Sequence, residues 1–396
     1  MKASALQTLL LQLAGTATDP LLDGVTAGDW RVLDGMAHHH WMQPQLHYRH
    51  GDNPAIPADI RAGWREAKRR CAMTALVQQA ELRDTVAILE AAGFAPIALK
   101  GAWLAWHAYP LPALRPMTDI DLLLTPETAI PGFETLLAAG HVLAKPAEMP
   151  LADIIRLEKH LPQLVGPRGT VIELHHRLWE PDGRLDHATP EGSEDAVRAR
   201  ALRIGGIAYP AGEDMLVHLI VHAAYSHRLG CGPRVLTDLS WLLHRQAIDW
   251  PRFWRRAQDE GWREGARLLL HLTQAFHAVP PIGLSEDAGP PPPPAILAAA
   301  PALLLQDSQT FASASAIAAL LGRGPAALWA RMRGQRGAQG SDAAVRDMTA
   351  EGGFASWLLS RGRRTLRDAA NPTVLRQSRD LARLGRWLSC CATARR

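Results

Sequence analysis

The residues with the clearest chemistry are Asp119 and Asp121, in the run Asp-Ile-Asp-Leu-Leu-Leu at 119–124. Read as a strand, this segment alternates faces with period two. Both carboxylates then project to one side, and Ile120 and Leu122 point into a core. Two neighbouring carboxylates repel unless a cation sits between them. Oxygen ligands of this kind suit a hard divalent ion such as Mg2+ or Mn2+. A third acid lies in Val171-Ile172-Glu173-Leu174-His175, where Glu173 shares a face with Val171 and His175. An unpaired acid inside an apolar strand is costly to bury. A metal site shared with Asp119 and Asp121 across a sheet explains it; a solvated sheet face is the plainer alternative. Lys100-Gly101 closes a short apolar stretch just before a helical one. Backbone N–H groups at a helix start, with no side chain at Gly101, let a phosphate approach. Lys100 and Arg115 offer the positive charge a triphosphate needs. Taken singly, Gly101 also reads as an ordinary strand-to-helix turn, and Arg115 as a solvated loop residue.

These side chains need a scaffold, and the patterning supplies one. The expected elements are a strand at 95–99, a short helix at 102–108 and a loop through Pro110, Pro112 and Pro116. A strand at 119–124 and a helix at 126–139, opened by Pro126-Glu127, follow. A hairpin pairs 160–165 with 170–175 around Gly166-Pro167-Arg168-Gly169. Together these make a small α/β unit at 94–180. Residues 1–93 read as helices: Asp29 can cap one through Trp30, Leu33, Met36 and Ala37, and a long one over 58–92 is stopped by Gly93. The His38-His39-His40 triplet falls in a helical pattern and reads as helix surface. Residues 181–288 are again mostly helical, with candidates at 213–227, 234–245, 250–260 and 263–277. Pro290 to Pro294 form a stiff spacer, and 289–396 is a basic helical region with a Gly-rich interruption at 334–340. The fold class expected is α+β: a small mixed-sheet core flanked by helices, with a helical C-terminal region.

The histidines are weaker signals. His218 and His222 lie four apart on one helix face, with His227 near its end. Such a pair can bind zinc, but no acid follows at the right spacing and H-E-x-x-H is absent. Packing is the favoured reading. Asp238, taken by itself, reads as a helix-surface or capping acid. His175 and His176 stand beside Glu173 without an assigned role.

Composition bounds the rest. The 396 residues are 47% hydrophobic and 21% charged, as in globular proteins of two or three domains. No apolar run approaches the roughly 20 residues of a membrane-spanning helix. Cys71, Cys231, Cys390 and Cys391 form no C-x-x-C motif, which speaks against a disulfide framework or a cysteine zinc site. Leu6, Leu9, Leu10 and Leu13 fall at helical spacing, so the N-terminus reads as an amphipathic helix rather than a secretory signal, and the expected location is the cytoplasm. The net charge is +4. Its distribution is uneven: from Ala295 on there are 15 Arg, no Lys and 6 acids. In the segment 372–388, Arg376, Arg379, Arg383 and Arg386 share one face, and Val374, Leu381, Leu384 and Leu388 the other. A solvated basic face is the plain reading; contact with an acidic partner is the functional one. No RNA-binding motif or aromatic platform points to nucleic acid.

Taken in order, A-L-K-G, Tyr109, Arg115, D-I-D-L-L-L, I-E-L-H-H, H-L-I-V-H-A-A-Y-S-H and L-T-D-L-S-W-L-L resemble the uncharacterised nucleotidyltransferase family of the polymerase-beta superfold. The resemblance covers roughly residues 25–260, including the helix that ends in the histidine triplet. It implies that the superfold's glycine motif falls on Lys100-Gly101, followed as in this family by Ala102 in place of the superfold's usual Ser. It implies that Asp119 and Asp121 are the paired metal-binding acids and that Glu173 is the third acid. Asp238 after Thr237 also matches the family pattern, and the resemblance sets the helix of His222 beside the core, so His222, Asp238 and, next to Glu173, His175 are the candidate substrate contacts. The implied activity is metal-dependent transfer of a nucleoside monophosphate from an NTP to an acceptor, in a peptide or polysaccharide biosynthetic setting. The acceptor is a small molecule, peptide or protein. In that reading Glu173 also takes the acceptor's proton. The rival is a non-catalytic nucleotide-binding or partner-recruiting protein that keeps the fold; the retained acids argue against it.

Overall fold

The computed structural model describes residues 1–147, 149–179, 193–284, 288–319 and 370–389. Its centre is a mixed seven-stranded sheet. The strands are β1 (Ile97–Ala98), β2 (Asp119–Leu123), β3 (Val142–Leu143), β4 (Leu164–Val165), β5 (Val171–His175), β6 (Leu202–Ile204) and β7 (Ile207–Tyr209). Their order in the sheet is β3-β4-β5-β2-β1-β7-β6. β2 and β5 lie side by side in parallel, and β1 runs antiparallel to β2. Alternation works as expected on one face: Ile120, Leu122, Ile172 and Leu174 are at most 1% exposed. Each such side chain contributes roughly 1.5–3 kcal/mol relative to exposure. Helices surround the sheet, so the α+β arrangement expected from the sequence is the one observed.

The long helix Ala58–Ala91 positions both site strands. Gln78 donates to the Met117 carbonyl at 2.9 Å, fixing the approach to β2. One turn on, the buried Glu81 accepts the Arg168 backbone N–H at 2.8 Å, in the turn between β4 and β5. Gly166 lets that carboxylate in, since a Cβ there would lie 2.4 Å from Glu81 Cδ.

Several elements differ from expectation. The 95–99 strand shrinks to β1 because Lys100 turns the chain with φ +45°. The 102–108 helix starts at Gly101 and then widens, with Tyr109 N–H bonding Leu104 O at 3.0 Å, an i→i+5 bond. The helix expected over 213–227 runs Gly212–Val221 and widens likewise, with His227 N–H on His222 O at 3.0 Å. The sheet also extends past residue 180. β6 and β7 form a hairpin over Gly205-Gly206, both at positive φ, the Gly-Gly turn two antiparallel strands favour. Three-residue strands leave no measurable periodicity, so this hairpin went unread. Thr26, not Asp29, caps the second helix; Asp29 closes the capping box from its third position.

The first helix, Ala3–Ala14, buries Leu6, Leu9, Leu10 and Leu13 as its spacing predicts. The last described helix, Pro372–Ser389, buries Val374, Leu381, Leu384 and Leu388 and exposes its four arginines. Cys390, Cys391 and the Gly-rich 334–340 stretch lie outside the described residues. No helix among the described residues is long and apolar enough to cross a membrane.

Several buried histidines are held neutral and weigh on stability in acid, and His277 is one of them. Burial pushes His277, which is 4% exposed, down to about 3. The unfolded chain therefore binds a proton that the folded chain refuses, and stability falls as pH drops below the ordinary histidine value. At pH 5 that loss is about 2 kcal/mol for an unfolded pKa near 6.5. Melting curves at pH 7.5 and pH 5 are expected to separate less in His277→Gln than in the parent. Equal separations would show that another group sets the limit.

Candidate active site

The parallel register sets Asp121 beside Glu173 and Leu123 beside His175. Period two then brings Asp119, Asp121, Glu173 and His175 to one face of the two strands. Asp121 Oδ1 accepts from Lys100 Nζ at 3.1 Å and from His175 Nε2 at 2.7 Å. The same His175 nitrogen lies 3.3 Å from Glu173 Oε2. An ionised carboxylate can only accept, so Nε2 is the donor to both. Gln163 Nε2 donates to Glu173 Oε1 at 2.7 Å. His175 Nδ1 is buried without a hydrogen-bond partner among the described residues.

The site holds more negative charge than these donors balance. Burial raises Asp119, and Asp121 and Glu173 push it further, to about 6. Burial also works against ionised Asp121, but Lys100 and His175 outweigh it and hold that carboxyl well below its usual range. Glu173 follows the same logic: burial raises it, and the His175 hydrogen bond with the nearby His160 brings it to about 2. Lys100 and His175 are shifted upward, because the carboxylates outweigh the burial of their charges.

Asp121, Glu173 and His175 each offer a ligand atom within 4.8 Å of the others, a group able to hold a metal ion. That compact set differs from the expected three acids: His175 is inside it and Asp119 is not. Asp119 sits at the first residue of β2, and its carboxyl faces the same cavity. The donors suit a hard divalent cation. The excess charge, seen in the raised Asp119, is what such an ion would relieve.

The cavity over these acids has a volume of about 730 Å3, within the roughly 300–1,000 Å3 typical of small-molecule sites. Lys100, Gly101, Arg115 and His222 all line it. Lys100 holds φ +45° and ψ −114°, a strained conformation for a residue with a Cβ. At Gly101 a Cβ would lie 2.7 Å from Met117 Sδ and 2.9 Å from Arg115 Nη1, so a larger residue would force those two side chains to move.

Arg115 is not a free phosphate cation. Its Nε and Nη2 donate to the two Asp238 oxygens at 3.1 and 3.0 Å, and its Nη1 to Pro116 O at 3.2 Å. Tyr109 OH also donates to Asp238, at 2.7 Å. Asp238 is 3% exposed. It is thus neither a surface nor a capping acid, and it is not among the residues lining the cavity. His222 lies between His218, stacked with its ring centroid 6.1 Å away, and His227, tilted by 57° with its centroid 4.3 Å away. The i→i+5 turn creates the second contact: on a regular α-helix, residues five apart point about 140° away from each other. Widened turns of this kind occur often at functional sites. Gln163 and Arg234, which carry no motif, also line the cavity, as do Ser226 and His227 of the H-L-I-V-H-A-A-Y-S-H run, to which sequence reasoning assigned no site role. The widened turn that places Ser226 and His227 is invisible to a 3.6-residue period.

The family model described as uncharacterised nucleotidyltransferase matches residues 26–278, which include every site residue above. No curated protein and no solved structure matches the chain.

Proposed function

We propose, for a chain that belongs to the family of uncharacterised nucleotidyltransferases, that it moves a nucleoside monophosphate from an NTP to an acceptor hydroxyl with the help of Mg2+ or Mn2+. The observation that supports this most is the meeting of three carboxylates, from two parallel strands, on one face under a cavity. Asp121, Glu173 and Asp119 would hold the metal, which when bound neutralises phosphate charge and polarises the attacking oxygen. His175 keeps Asp121 and Glu173 in register through its Nε2 proton. Gln163 fixes the remaining Glu173 oxygen. Lys100 sets a buried positive charge beside the acids, preorganised for charge that develops on phosphate. Glu173 is a poor choice for taking the acceptor's proton. A carboxyl held at about 2 accepts protons weakly near neutral pH. We therefore assign Glu173 to metal binding and positioning.

The non-catalytic alternative accounts less well for Asp119. A partly buried acid raised to about 6, first by burial and then by its neighbours, is a standing cost to the fold, of a kind kept where function requires it. The test is to incubate the full chain with Mg2+, each common NTP and panels of small-molecule, peptide and protein acceptors. Pyrophosphate release is expected together with a mass increase of one nucleotidyl group on an acceptor. A chain that binds no NTP in the presence of either metal would sink the enzyme reading.

A further inference from the structure

Arg115 and Arg234 stand on the same stretch of cavity wall, but their surroundings differ. Arg115 is neutralised by Asp238 through two hydrogen bonds. Arg234, the first residue of the helix Arg234–Arg245, also lines the cavity. One of its nitrogens donates to the Pro116 carbonyl. Among the described residues no carboxylate forms an ion pair with it; Asp238, the acid that acts on it, already holds Arg115 and Tyr109. Burial, with Arg115 second, depresses its pKa, yet a guanidinium keeps its proton in proteins. Arg234 is half-buried; a partly desolvated cation without a counter-ion is costly, and an anionic ligand in the cavity would reduce that cost.

The position narrows the kind of anion. Gly101 abuts Arg115, and Pro116, the next residue, accepts hydrogen bonds from both arginines. Lys100, Gly101, Arg115 and Arg234 thus form one continuous wall beside the metal-binding acids. A guanidinium presents a planar fork of donors that matches two phosphate oxygens. We propose that Arg234 binds the terminal phosphates of the NTP, and that Arg115 with Asp238 is a positioning pair that holds the Pro116 carbonyl in place. This rests on the nucleotidyltransferase reading above and deepens it.

The test measures binding of three probes to the full chain with magnesium: an NTP, inorganic tripolyphosphate and the matching nucleoside monophosphate. Arg234→Gln is expected to weaken the NTP and tripolyphosphate by at least about tenfold, the loss of a charged hydrogen-bonded contact. Monophosphate binding should stay near the parent value. Arg234→Lys, which keeps charge without the fork, should fall between the two, and it carries the test if Arg234→Gln melts well below the parent. Parent-like tripolyphosphate binding in either folded variant overturns the proposal alone, as does an equal loss for the monophosphate, which would place Arg234 elsewhere on the ligand. A parent protein that binds no NTP overturns both this proposal and the reading it rests on.

Discussion

Asp119→Asn is expected to abolish nucleotidyl transfer and, at the same time, to raise the melting temperature of the metal-free protein. The loss follows from charge. An amide cannot replace a carboxylate facing a divalent cation and the phosphates it neutralises, and removing one such group costs on the order of 10²–10³ in rate or more. The gain follows from the same charge without its cation. Asp119 is raised from 3.8 to about 6, first by burial and then by Asp121 and Glu173. Between those values the folded state binds more protons than the unfolded one, so stability falls as pH rises through the window. Above pH 6 the full penalty applies, at most about 3 kcal/mol, less whatever solvent screens at a partly exposed carboxyl. The melting advantage of Asp119→Asn should therefore be largest at pH 7.5 and vanish near pH 4. Saturating Mg2+ should stabilise the parent and narrow the gap. A variant no more stable than the parent at pH 7.5 would show that the three acids do not repel as their spacing implies.

That pairing of loss and gain also explains which parts of the site could be read from the chain. The shared face of Asp119 and Asp121, and that of Glu173 and His175, was legible because β2 and β5 are five residues long and alternate cleanly, with Ile120, Leu122, Ile172 and Leu174 marking the core face; the place of His175 between Asp121 and Glu173 was not. The cross-strand pairing of Asp121 with Glu173 was only an inference, since nothing local to either strand fixes their register. Arg115 was chosen for its charge, but its partner Asp238 lies 123 residues further on and on another helix. A local reading sees a cation where the fold holds an ion pair. Arg234 is the converse: it opens the helix expected over 234–245 with nothing local to mark it, and only the packing of that helix against Pro116 sets it on the cavity wall. The family resemblance placed the acids and the glycine turn, yet a motif match gives residue identity without the partners that set each group's charge.

Lys100→Met is expected to destabilise the protein by about 3–5 kcal/mol, the usual result of removing one member of a buried ion pair. Lys100 Nζ lies 3.1 Å from Asp121 Oδ1, with the side chains 14% and 7% exposed. Without the ammonium, His175 alone must balance Asp121 and Glu173. If that is the cause, Asp121→Asn in the same chain should restore part of the loss, because the stranded carboxylate goes with it. The double variant should then be more stable than the sum of the singles by at least about 1 kcal/mol. Additive losses would mean that the lysine acts through its aliphatic stem and not its charge. The backbone offers an independent check. At φ +45° a Cβ is strained and glycine is not, so Lys100→Gly should be more stable than Lys100→Ala by about 1 kcal/mol, opposite to the usual order outside turns. Chemical denaturation of the four single variants and the double one separates the two effects. A glycine advantage together with a non-additive pair would mean that the fold holds a strained lysine here for its ammonium, beside acids that the metal-free protein cannot otherwise keep together.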